Sequence, residues 1–249
     1  MLTEQRFERI LERLKVKKSI TVAEITEDLG ISESTARRDI TALDKAGKLT
    51  KVFGGAVAAE HTYEMKEPTV AQKVNVRKEE KIKIAQYAAD MIGDNDFVYL
   101  DAGTSVGYMV EFLAKKRAAF VTNAVAHAQR LAAQGNRVLL IGGELKSSTE
   151  AVVGAQAIEL LRKYHFTKGF FGTNGVDKKH GFTTPDPAEA MIKKAAMERC
   201  RTCYILADSS KIGQIAPVTF AKFDQAKLIT TELTDKDLKK EKNIVEVKA

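Results

Sequence analysis

Small polar residues follow an apolar run in the segment "YLDAGTSVG". Asp101 leaves the run, and Gly103, Thr104 and Ser105 come next, at the expected start of a helix. Backbone N–H groups and two hydroxyls at a helix N-terminus can bind an anion such as a phosphate group. The segment therefore predicts an anion-binding loop.

Other apolar runs also end in small, acidic or amide residues. The segments "VTNA", "IGGEL", "GTNGVD", "GFTTPDPAEA" and "LADSSK" supply Thr122, Asn123, Gly142, Gly143, Asn174, Asp177, Asp186, Glu189, Asp208 and Lys211. Each set alone could be ordinary turn chemistry, since these residue types are common where strands end. Open parallel sheets bind ligands at the carboxyl ends of their strands, so convergence there predicts a site for a phosphorylated polyol.

Other site chemistries find less support. The pattern G-x-x-x-x-G-K-[ST] is absent, which argues against a nucleoside triphosphate. The four histidines share no metal-ligand spacing, and we predict neither a metal nor a cofactor. Cys200 and Cys203 form a Cys-x-x-Cys pair where a helix ends and a strand begins, whereas a redox motif is expected near the start of a βαβ unit. One pair is also only half of a four-cysteine zinc site, so we interpret both as small buried residues.

A second chemistry is predicted near the start of the chain, in "ISESTARRDITAL". Ala36, Ile40 and Leu43 form the apolar face of a helix. The opposite face carries Ser34, Thr35, Arg37, Arg38 and Thr41. Arginine can bind guanine through two hydrogen bonds or contact phosphate, and the hydroxyls can bond either. This predicts a recognition helix in a DNA major groove, the alternative being an exposed charged helix of a small bundle.

The elements around this helix favour the DNA interpretation. A first helix has an apolar stripe formed by Phe7, Ile10, Leu11 and Leu14. A second begins with a capping box at Thr21 and Glu24 and ends at Gly30, and Ser32 caps the third.

The residues after the third helix predict a hairpin. Gly47 is expected to end the helix, "KLTKVF" to form a strand, and Gly54-Gly55 to form the turn. A helix-turn-helix followed by a hairpin is a winged helix. Lys48 and Lys51 lie near the wing, where they could bind phosphate. The wing, with Gly54 and Gly55, is expected to contact neighbouring backbone or minor groove.

The remainder predicts a second domain of the α/β class. We predict a winged helix-turn-helix domain at residues 1–57, a linker at 58–70 and an α/β domain at 71–249. The domain should open with one long helix, "QKVNVRKEEKIKIAQYAADMI", with Ala85, Ala88 and Ile92 inward and lysines outward. Short apolar strands then alternate with helices, which predicts a mainly parallel sheet covered on both faces.

Composition limits the class of protein. The 249 residues are 44% hydrophobic and 29% charged, as in ordinary globular proteins, and the apolar runs are too short to span a bilayer. The charged first segment does not resemble an export signal, so we expect a cytoplasmic protein without membrane partners. A formal charge of +7 favours polyanionic or phosphorylated partners.

Several segments together resemble a known family. "SESTARRDITALDKAGKLTKVFGGA" resembles the DNA-binding signature of the DeoR family of bacterial sugar-catabolism repressors. "YLDAGTS", "VTNA", "LIGGELK", "FFGTNGVDKKHGFTTPDPAEAMIKKAAM" and "LADSSKIG" resemble successive blocks of its effector domain, so the resemblance covers nearly the whole chain. The stretch "GTNGV…GFTTPDPAEA" is most similar to the fructose-operon repressor branch.

The resemblance implies an effector domain that shares its fold with ribose-5-phosphate isomerases and binds a sugar phosphate. It implies a phosphate loop at residues 101–105, with Thr122 and Asn123 beside it. Lys81 and Lys211 match the family's basic residues, and Asp208 lies near the latter. Lys73 stands where many relatives have arginine, which keeps the charge and loses bidentate geometry.

We therefore predict a repressor of a sugar operon, with fructose the expected sugar, that is relieved by a phosphorylated sugar such as fructose 1-phosphate. Paired half-sites would require a homo-oligomer on double-stranded operator DNA. The alternative is a sugar-phosphate isomerase with a nucleic-acid module, whose carboxylate base would be Asp101, Glu144, Asp186 or Glu189. The sequence leaves open the operator, the oligomer number, the choice between fructose 1-phosphate and fructose 1,6-bisphosphate, and the sign of the response.

Overall fold

The structure, a computed structural model, describes residues 2–17, 19–45, 48–58, 69–233, 235 and 237–248. The chain forms two compact units, Met1–Thr62 and Tyr63–Ala249. Gly47, and residues 59–68 of the predicted linker, lie outside the described residues. The boundaries at 57 and 70 remain predictions, although the last strand of the first unit continues to residue 58.

The first unit is a winged helix-turn-helix, as predicted. Its elements are α1 (Thr3–Lys17), β1 (Ser19–Thr21), α2 (Val22–Leu29), α3 (Glu33–Lys45), β2 (Leu49–Val52) and β3 (Gly55–Ala58). The three strands form an antiparallel sheet in the order β1-β3-β2. The short strand β1, which was not predicted, therefore joins the wing to the helices.

Local interactions fix the helix ends of this unit. Thr21 Oγ1 accepts from the backbone N–H of Glu24 at 3.1 Å, and Glu24 Oε2 accepts from the N–H of Thr21 at 2.8 Å. This capping box starts α2, and Gly30, with φ 62°, ends it in the left-handed conformation. The predicted inward face of α3 is confirmed, because Ala36, Ile40 and Leu43 are buried.

Gly55 allows close pairing of β1 with β3. A Cβ atom at this position would overlap the carbonyl oxygen of Ile20 and lie 2.9 Å from the Cα of Thr21. We therefore expect Gly55→Ala to destabilise the first unit by about 1–3 kcal/mol, the usual cost of overpacking. Urea denaturation measures this change. Gly142→Ala is the control, since nothing lies within 4 Å of the added carbon, and equal stability of the two variants would contradict the prediction.

The second unit is the predicted α/β domain. Its helices are α4 (Val70–Val74), α5 (Lys78–Asp90), α6 (Thr104–Met109), α7 (Val125–Ala133), α8 (Ala155–Leu161) and α9 (Pro187–Met197). Its strands are β4 (Phe97–Leu100), β5 (Ala119–Thr122), β6 (Arg137–Leu140), β7 (Glu144–Lys146), β8 (Ala151–Val153), β9 (Phe166–Gly172), β10 (Gly175–Asp177), β11 (Gly181–Thr184), β12 (Cys200–Leu206), β13 (Val218–Ala221), β14 (Lys227–Thr230) and β15 (Ile244–Glu246).

Seven strands form one parallel sheet in the order β15-β14-β12-β9-β4-β5-β6. Alternate residues of its strands face two separate cores. Val98 and Leu100 of β4 pack in one core with Ala85 of α5, and Tyr99 packs in the other with Ile192 of α9. The prediction of a mainly parallel sheet is confirmed, and its central strands are buried on both faces, whereas Leu139 and Leu140 of the edge strand β6 are exposed. A small sheet, β10-β11-β13, and the hairpin β7-β8 were not predicted.

The predicted long helix at the start of this unit is wrong, because it breaks between α4 and α5. Arg77 adopts a left-handed conformation with φ 52° just before α5. The break leaves two carbonyl groups of α4 for tertiary contacts. That of Lys73 accepts from Lys81 Nζ at 2.6 Å, and that of Val74 from Tyr108 Oη at 3.1 Å. Lys81 consequently points inward rather than outward and is only 3% exposed.

The structure bears on three questions from the sequence, which concern the cysteines, a metal site and membrane-spanning helices. Cys200 and Cys203 are free thiols at the start of β12, the first half-buried and the second buried. In the described ranges, no cluster of three or more histidine, cysteine or acidic side chains could hold a metal ion. None of the helices described there is long and apolar enough to cross a membrane.

Candidate functional site

A cavity of about 190 Å³ lies at the carboxyl ends of the central strands of the second unit. Its wall also includes residues of α4, α5 and α9. The predicted effector residues that line it are Lys73, Lys81, Asp101, Gly103, Thr104, Ser105, Asn123, Asn174, Glu189, Asp208 and Lys211. The structure thus brings together polar residues that are up to 138 positions apart in the chain, as between Lys73 and Lys211.

Four predicted effector residues lie outside the cavity lining. Thr122 is buried, and its hydroxyl accepts from the N–H of Ala124 at 3.1 Å. Gly142 and Gly143 form the turn into β7, where Gly143 allows close approach to β8. Asp186 caps α9 by accepting from the N–H of Glu189. These residues serve turns, caps and close packing. The sequence suggested them as effector contacts because turns and caps favour the same residue types as ligand sites do.

A buried ion pair supports the loop between β4 and α6. Asp101 Oδ2 accepts from Lys193 Nζ and, at 2.9 Å, from the N–H of Gly172. Lys193 Nζ also donates to the carbonyl of Gly172 at 3.1 Å. The backbones of Gly103 and Gly172 are in close contact, since a Cβ atom added at Gly103 would lie 3.0 Å from the Cα of Gly172. The carboxylate of Asp101 therefore fixes the end of β9 against the predicted anion loop.

Lysine side chains concentrate at one side of the cavity. Lys81 Nζ lies 4.0 Å from Asp208 Oδ2, and Lys73 and Lys211 lie on the same wall. Burial lowers the pKa of Lys81, and the positive charges of Lys211 and Lys73 lower it further, against the opposing effect of Asp208. A bound anion would relieve this unfavourable environment. This side of the cavity is therefore suited to a phosphate group.

Another part of the wall is built around Glu189. Its carboxylate accepts from Thr149 Oγ1 and from Lys146 Nζ, the latter at 3.0 Å. Lys146 also pairs with Asp186 at 2.8 Å. Although burial alone would raise the pKa of Asp186, the hydrogen bond from Lys146 and that from the Glu189 N–H hold it below its usual value. These contacts attach the β7-β8 hairpin to α9, and Thr149 and Ala151 of that hairpin line the cavity.

Sequence reasoning missed several lining residues, notably Lys193, Gly172, Thr173 and Thr149. Lys193 carried a signal, because it occupies a buried face of α9 one turn after Glu189, and an unpaired lysine is almost never fully buried. Gly172 and Thr173 immediately precede the predicted Asn174. Thr149 carried no signal, since it reaches the cavity only through the unpredicted hairpin.

His127 lies on α7 and packs against α6. A Cβ atom on Gly107 of α6 would lie 2.7 Å from its Nε2 atom. Its Nδ1 atom is buried and has no hydrogen-bond partner among the described residues. Burial lowers the pKa of His127 to about 4, the positive charge of Arg130 adds to this shift, and Asp101 opposes it. The imidazole is therefore neutral in the folded protein at pH 7.

This depressed pKa predicts a loss of stability in acid. The unfolded chain binds a proton on His127 below pH 6.5, while the folded chain does so only near pH 4, so stability falls as the pH falls through that window. We expect a loss of about 2 kcal/mol between pH 7 and pH 5 from this residue. Urea titrations of wild type and His127→Gln at both pH values measure it. An unchanged pH dependence in the variant would contradict the assignment.

The first unit presents the predicted DNA-binding face on α3. Arg37 is exposed and pairs with Glu33 at 3.1 Å, and Arg38 Nε donates to the Ser34 carbonyl at 3.3 Å. Ser34 is exposed, and Thr35 and Thr41 are partly exposed. A shallow concave surface on this helix is lined by Arg37, Arg38, Thr41, Ala42 and Lys45. Lys45 was not predicted as part of this face.

Hydrogen bonds hold the wing against the helices. The backbone N–H of Lys51 donates to Asp44 Oδ1 at 2.8 Å, and Lys51 Nζ donates to Thr41 Oγ1 at 3.0 Å. The carbonyl of Gly54 accepts from the N–H of Val22 at 2.9 Å. Lys48 and Gly54 are exposed, whereas the predicted contact residue Gly55 is buried. Gly55 serves strand pairing, and the predicted Gly54-Gly55 turn is wrong by one residue, because Phe53 and Gly54 form the turn and Gly55 begins β3.

A winged helix-turn-helix unit joined to an α/β unit with a polar cavity defines a class of DNA-binding transcription regulator. The DeoR-like helix-turn-helix domain matches residues 6–62, and the DeoR C terminal sensor domain matches residues 76–233. The chain therefore belongs to the DeoR family.

Relatives match over nearly the full length. The uncharacterized HTH-type transcriptional regulator FruR of Bacillus subtilis (strain 168) is 37% identical over 250 residues, 99% of each chain. The lactose phosphotransferase system repressor of Streptococcus mutans is 35% identical over 240 residues, 95% of each chain. Among solved structures, ribose 5-phosphate isomerase A from Methanocaldococcus jannaschii aligns with a TM-score of 0.41 at 12% identity, over 54% of each chain.

Proposed function

We propose that the protein is a ligand-controlled repressor of a sugar-utilisation operon and that a phosphorylated sugar releases it from DNA. Fructose 1-phosphate is the first candidate, and the protein would act in the cytoplasm as a homo-oligomer on paired half-sites. The names of the FruR and lactose phosphotransferase system relatives support a sugar operon. The observation that carries the proposal is the cavity, in which lysines and an anion loop share one hollow with amide and carboxylate groups.

The cavity offers different groups to the two parts of a sugar phosphate. The phosphate would bind the hydroxyls of Thr104 and Ser105 together with Lys81 and Lys211. The sugar hydroxyls would bind polar groups elsewhere on the wall, among them Asn123, Asn174 and Glu189. The Asn123 side chain is already oriented, because its Oδ1 accepts from Tyr99 Oη at 3.0 Å and its Nδ2 donates to the Val152 carbonyl at 3.1 Å. Such pre-orientation favours selective binding.

The arrangement of carboxylates favours binding over catalysis. An isomerase needs a carboxylate that is positioned to take a proton from the substrate. Asp101 is occupied by Lys193 and the Gly172 N–H, and Glu189 by Thr149 and Lys146. The other two predicted bases, Glu144 and Asp186, lie outside the lining. A coupled assay for aldose–ketose interconversion tests the enzyme alternative, and turnover would support it.

Helix α4 gives a route from the cavity to the DNA-binding unit. It begins at Val70, directly after the segment through which the chain passes between the units, and Val70, Gln72 and Lys73 line the cavity. The N–H of Val70 donates to the Ser148 carbonyl at 3.2 Å, and Lys81 Nζ holds the Lys73 carbonyl. A phosphate bound to Lys81 would compete with that carbonyl. We propose that ligand binding thereby changes how α4 is held and favours a state with weaker DNA affinity.

The proposal is tested with DNA selected from a random pool by the wild-type protein. We expect fructose 1-phosphate to weaken binding by about 5–150-fold in fluorescence anisotropy, the range of typical allosteric couplings. It should also raise the melting temperature, since a ligand at a hundredfold excess over its dissociation constant stabilises by about 2.7 kcal/mol. Fructose 1,6-bisphosphate, fructose and inorganic phosphate complete the panel. If no sugar phosphate changes either quantity, the sensor proposal fails.

Lys81→Gln should weaken the response to ligand. The variant loses the buried charge that attracts phosphate and the donor that holds the Lys73 carbonyl, so we expect at least a tenfold weaker ligand response and, because α4 is then held less firmly, weaker DNA binding without ligand. Lys83→Gln is the matched control, because Lys83 is an exposed lysine of the same helix. Anisotropy titrations with and without fructose 1-phosphate measure both properties. A normal response of Lys81→Gln would remove Lys81 from the phosphate site.

A further inference from the structure

Phe53 is fully exposed at the tip of the wing and is the most exposed large hydrophobic side chain in the described part of the chain. Its neighbour Val52 is 41% exposed. Burying a phenylalanine side chain normally stabilises a fold, and this fold leaves Phe53 in solvent. Folding therefore does not explain an aromatic residue at this position, which leads us to ask what it contacts in a complex.

Hydrogen bonds hold the wing backbone on both sides of Phe53. The next residue, Gly54, has φ 82° and turns the chain from β2 to β3, while its carbonyl bonds the N–H of Val22 at the start of α2. On β2, the backbone N–H of Lys51 donates to Asp44 and its Nζ donates to Thr41, both of α3. The backbone at the wing tip is therefore fixed relative to the recognition helix, so the part of the DNA that Phe53 can reach would be set by the docking of that helix.

The charge around the ring identifies the partner. Lys48 and Lys51 are exposed on the wing, and Arg37, Arg38 and Lys45 are exposed on α3. This surface is complementary to the DNA polyanion. A phenyl ring cannot bond phosphate, so on DNA it would contact apolar surface, which the minor groove offers between base steps to wedge-like side chains.

We infer that Phe53 inserts from the wing into the minor groove next to the major-groove site of α3 and partly unstacks one base step. This inference rests on the proposed DNA-binding function. It adds a contact whose energy depends on how easily the DNA sequence deforms. Such wedges kink DNA, with bends on the order of 20–90°. Pyrimidine–purine steps unstack most easily, so the wedge would favour operators with such a step at the wing position.

The first test uses the salt dependence of binding to wild-type-selected DNA. Phe53→Ala should weaken binding at least tenfold and leave the slope of log affinity against log salt unchanged, because no phosphate contact is lost. Phe53→Leu, which keeps an apolar wedge, should retain most of the affinity. Lys51→Ala is the comparison variant, and its slope should fall by about one if it contacts a phosphate. Melting temperatures of all variants verify folding.

The second test observes the DNA directly. A 2-aminopurine at the predicted step should brighten on binding of wild type but not of Phe53→Ala, and end-to-end energy transfer should report a smaller bend with the variant. Wild-type affinity and bending by Phe53→Ala would overturn the inference. The inference would also be overturned if Phe53→Ala changed only the sedimentation of the protein, because the ring would then mediate contacts between protein copies. If selection from the random pool yields no DNA that wild type binds, the DNA-binding function fails instead.

Discussion

Lys193→Met is expected to lower the free energy of unfolding of the second unit by roughly 3–5 kcal/mol, the usual effect of removing one partner of a buried ion pair. Asp101 and Lys193 are only 2% and 5% exposed. Methionine fills a similar volume but leaves the Asp101 carboxylate with backbone contacts and no counter-charge. The carbonyl of Gly172 also loses its donor. The loop at the cavity should loosen as the protein destabilises.

Urea denaturation measures this loss, and the neighbouring residue gives a matched control. Lys194 is an exposed lysine of the same helix, and Lys194→Met should change stability by less than about 0.5 kcal/mol. The double variant Asp101→Asn, Lys193→Met removes both charges and should recover part of the loss, since replacing a whole buried pair is often close to neutral. A Lys193→Met protein as stable as wild type would show that the ion pair does not hold the loop.

The sheet was predictable because each of its strands is a short apolar run between helical segments. The run "FVYL", for example, places Val98 and Leu100 in one core and Tyr99 in the other. A strand buried on both faces needs apolar residues at every position, and such a run is visible without any long-range information. The first unit was predictable for a related reason, since the capping box at Thr21 and the glycine turn are local signals.

The missed features depend on tertiary contacts. The break before Arg77 occurs in a sequence with good helical periodicity, and what stabilises it is the capture of α4 carbonyls by Lys81 and Tyr108. Thr149 enters the cavity only because the β7-β8 hairpin is attached to Glu189. Residue types alone also cannot separate a cap such as Asp186 from a ligand-binding acid. The location of the cavity was therefore predictable from the sequence, but only some of the residues that line it were.

Substitution of Arg38 by alanine is expected to weaken binding to selected DNA by about 1–3 kcal/mol, equivalent to roughly 5–150-fold, and to relax sequence preference at one position. Arg38 bonds the Ser34 carbonyl through Nε, so this contact does not occupy the terminal amino groups that would donate to a guanine. Arg37 instead pairs with Glu33, a contact that it must exchange for DNA. We therefore expect Arg37→Ala to act mainly through phosphate, with uniform weakening across sequences.

Salt and sequence dependence distinguish the two roles of these arginines. Removing a phosphate contact lowers the slope of log affinity against log salt by about one, while removing a base contact reduces the ratio of specific to non-specific affinity. Arg130→Ala is the charge-matched control, because Arg130 is an exposed arginine of the second unit. Both α3 variants should still bind fructose 1-phosphate as wild type does, since the cavity lies wholly in the second unit. If Arg38→Ala kept both affinity and preference, Arg38 could not be the base-reading arginine of α3, and Arg37, exposed on the same face, would have to take that role.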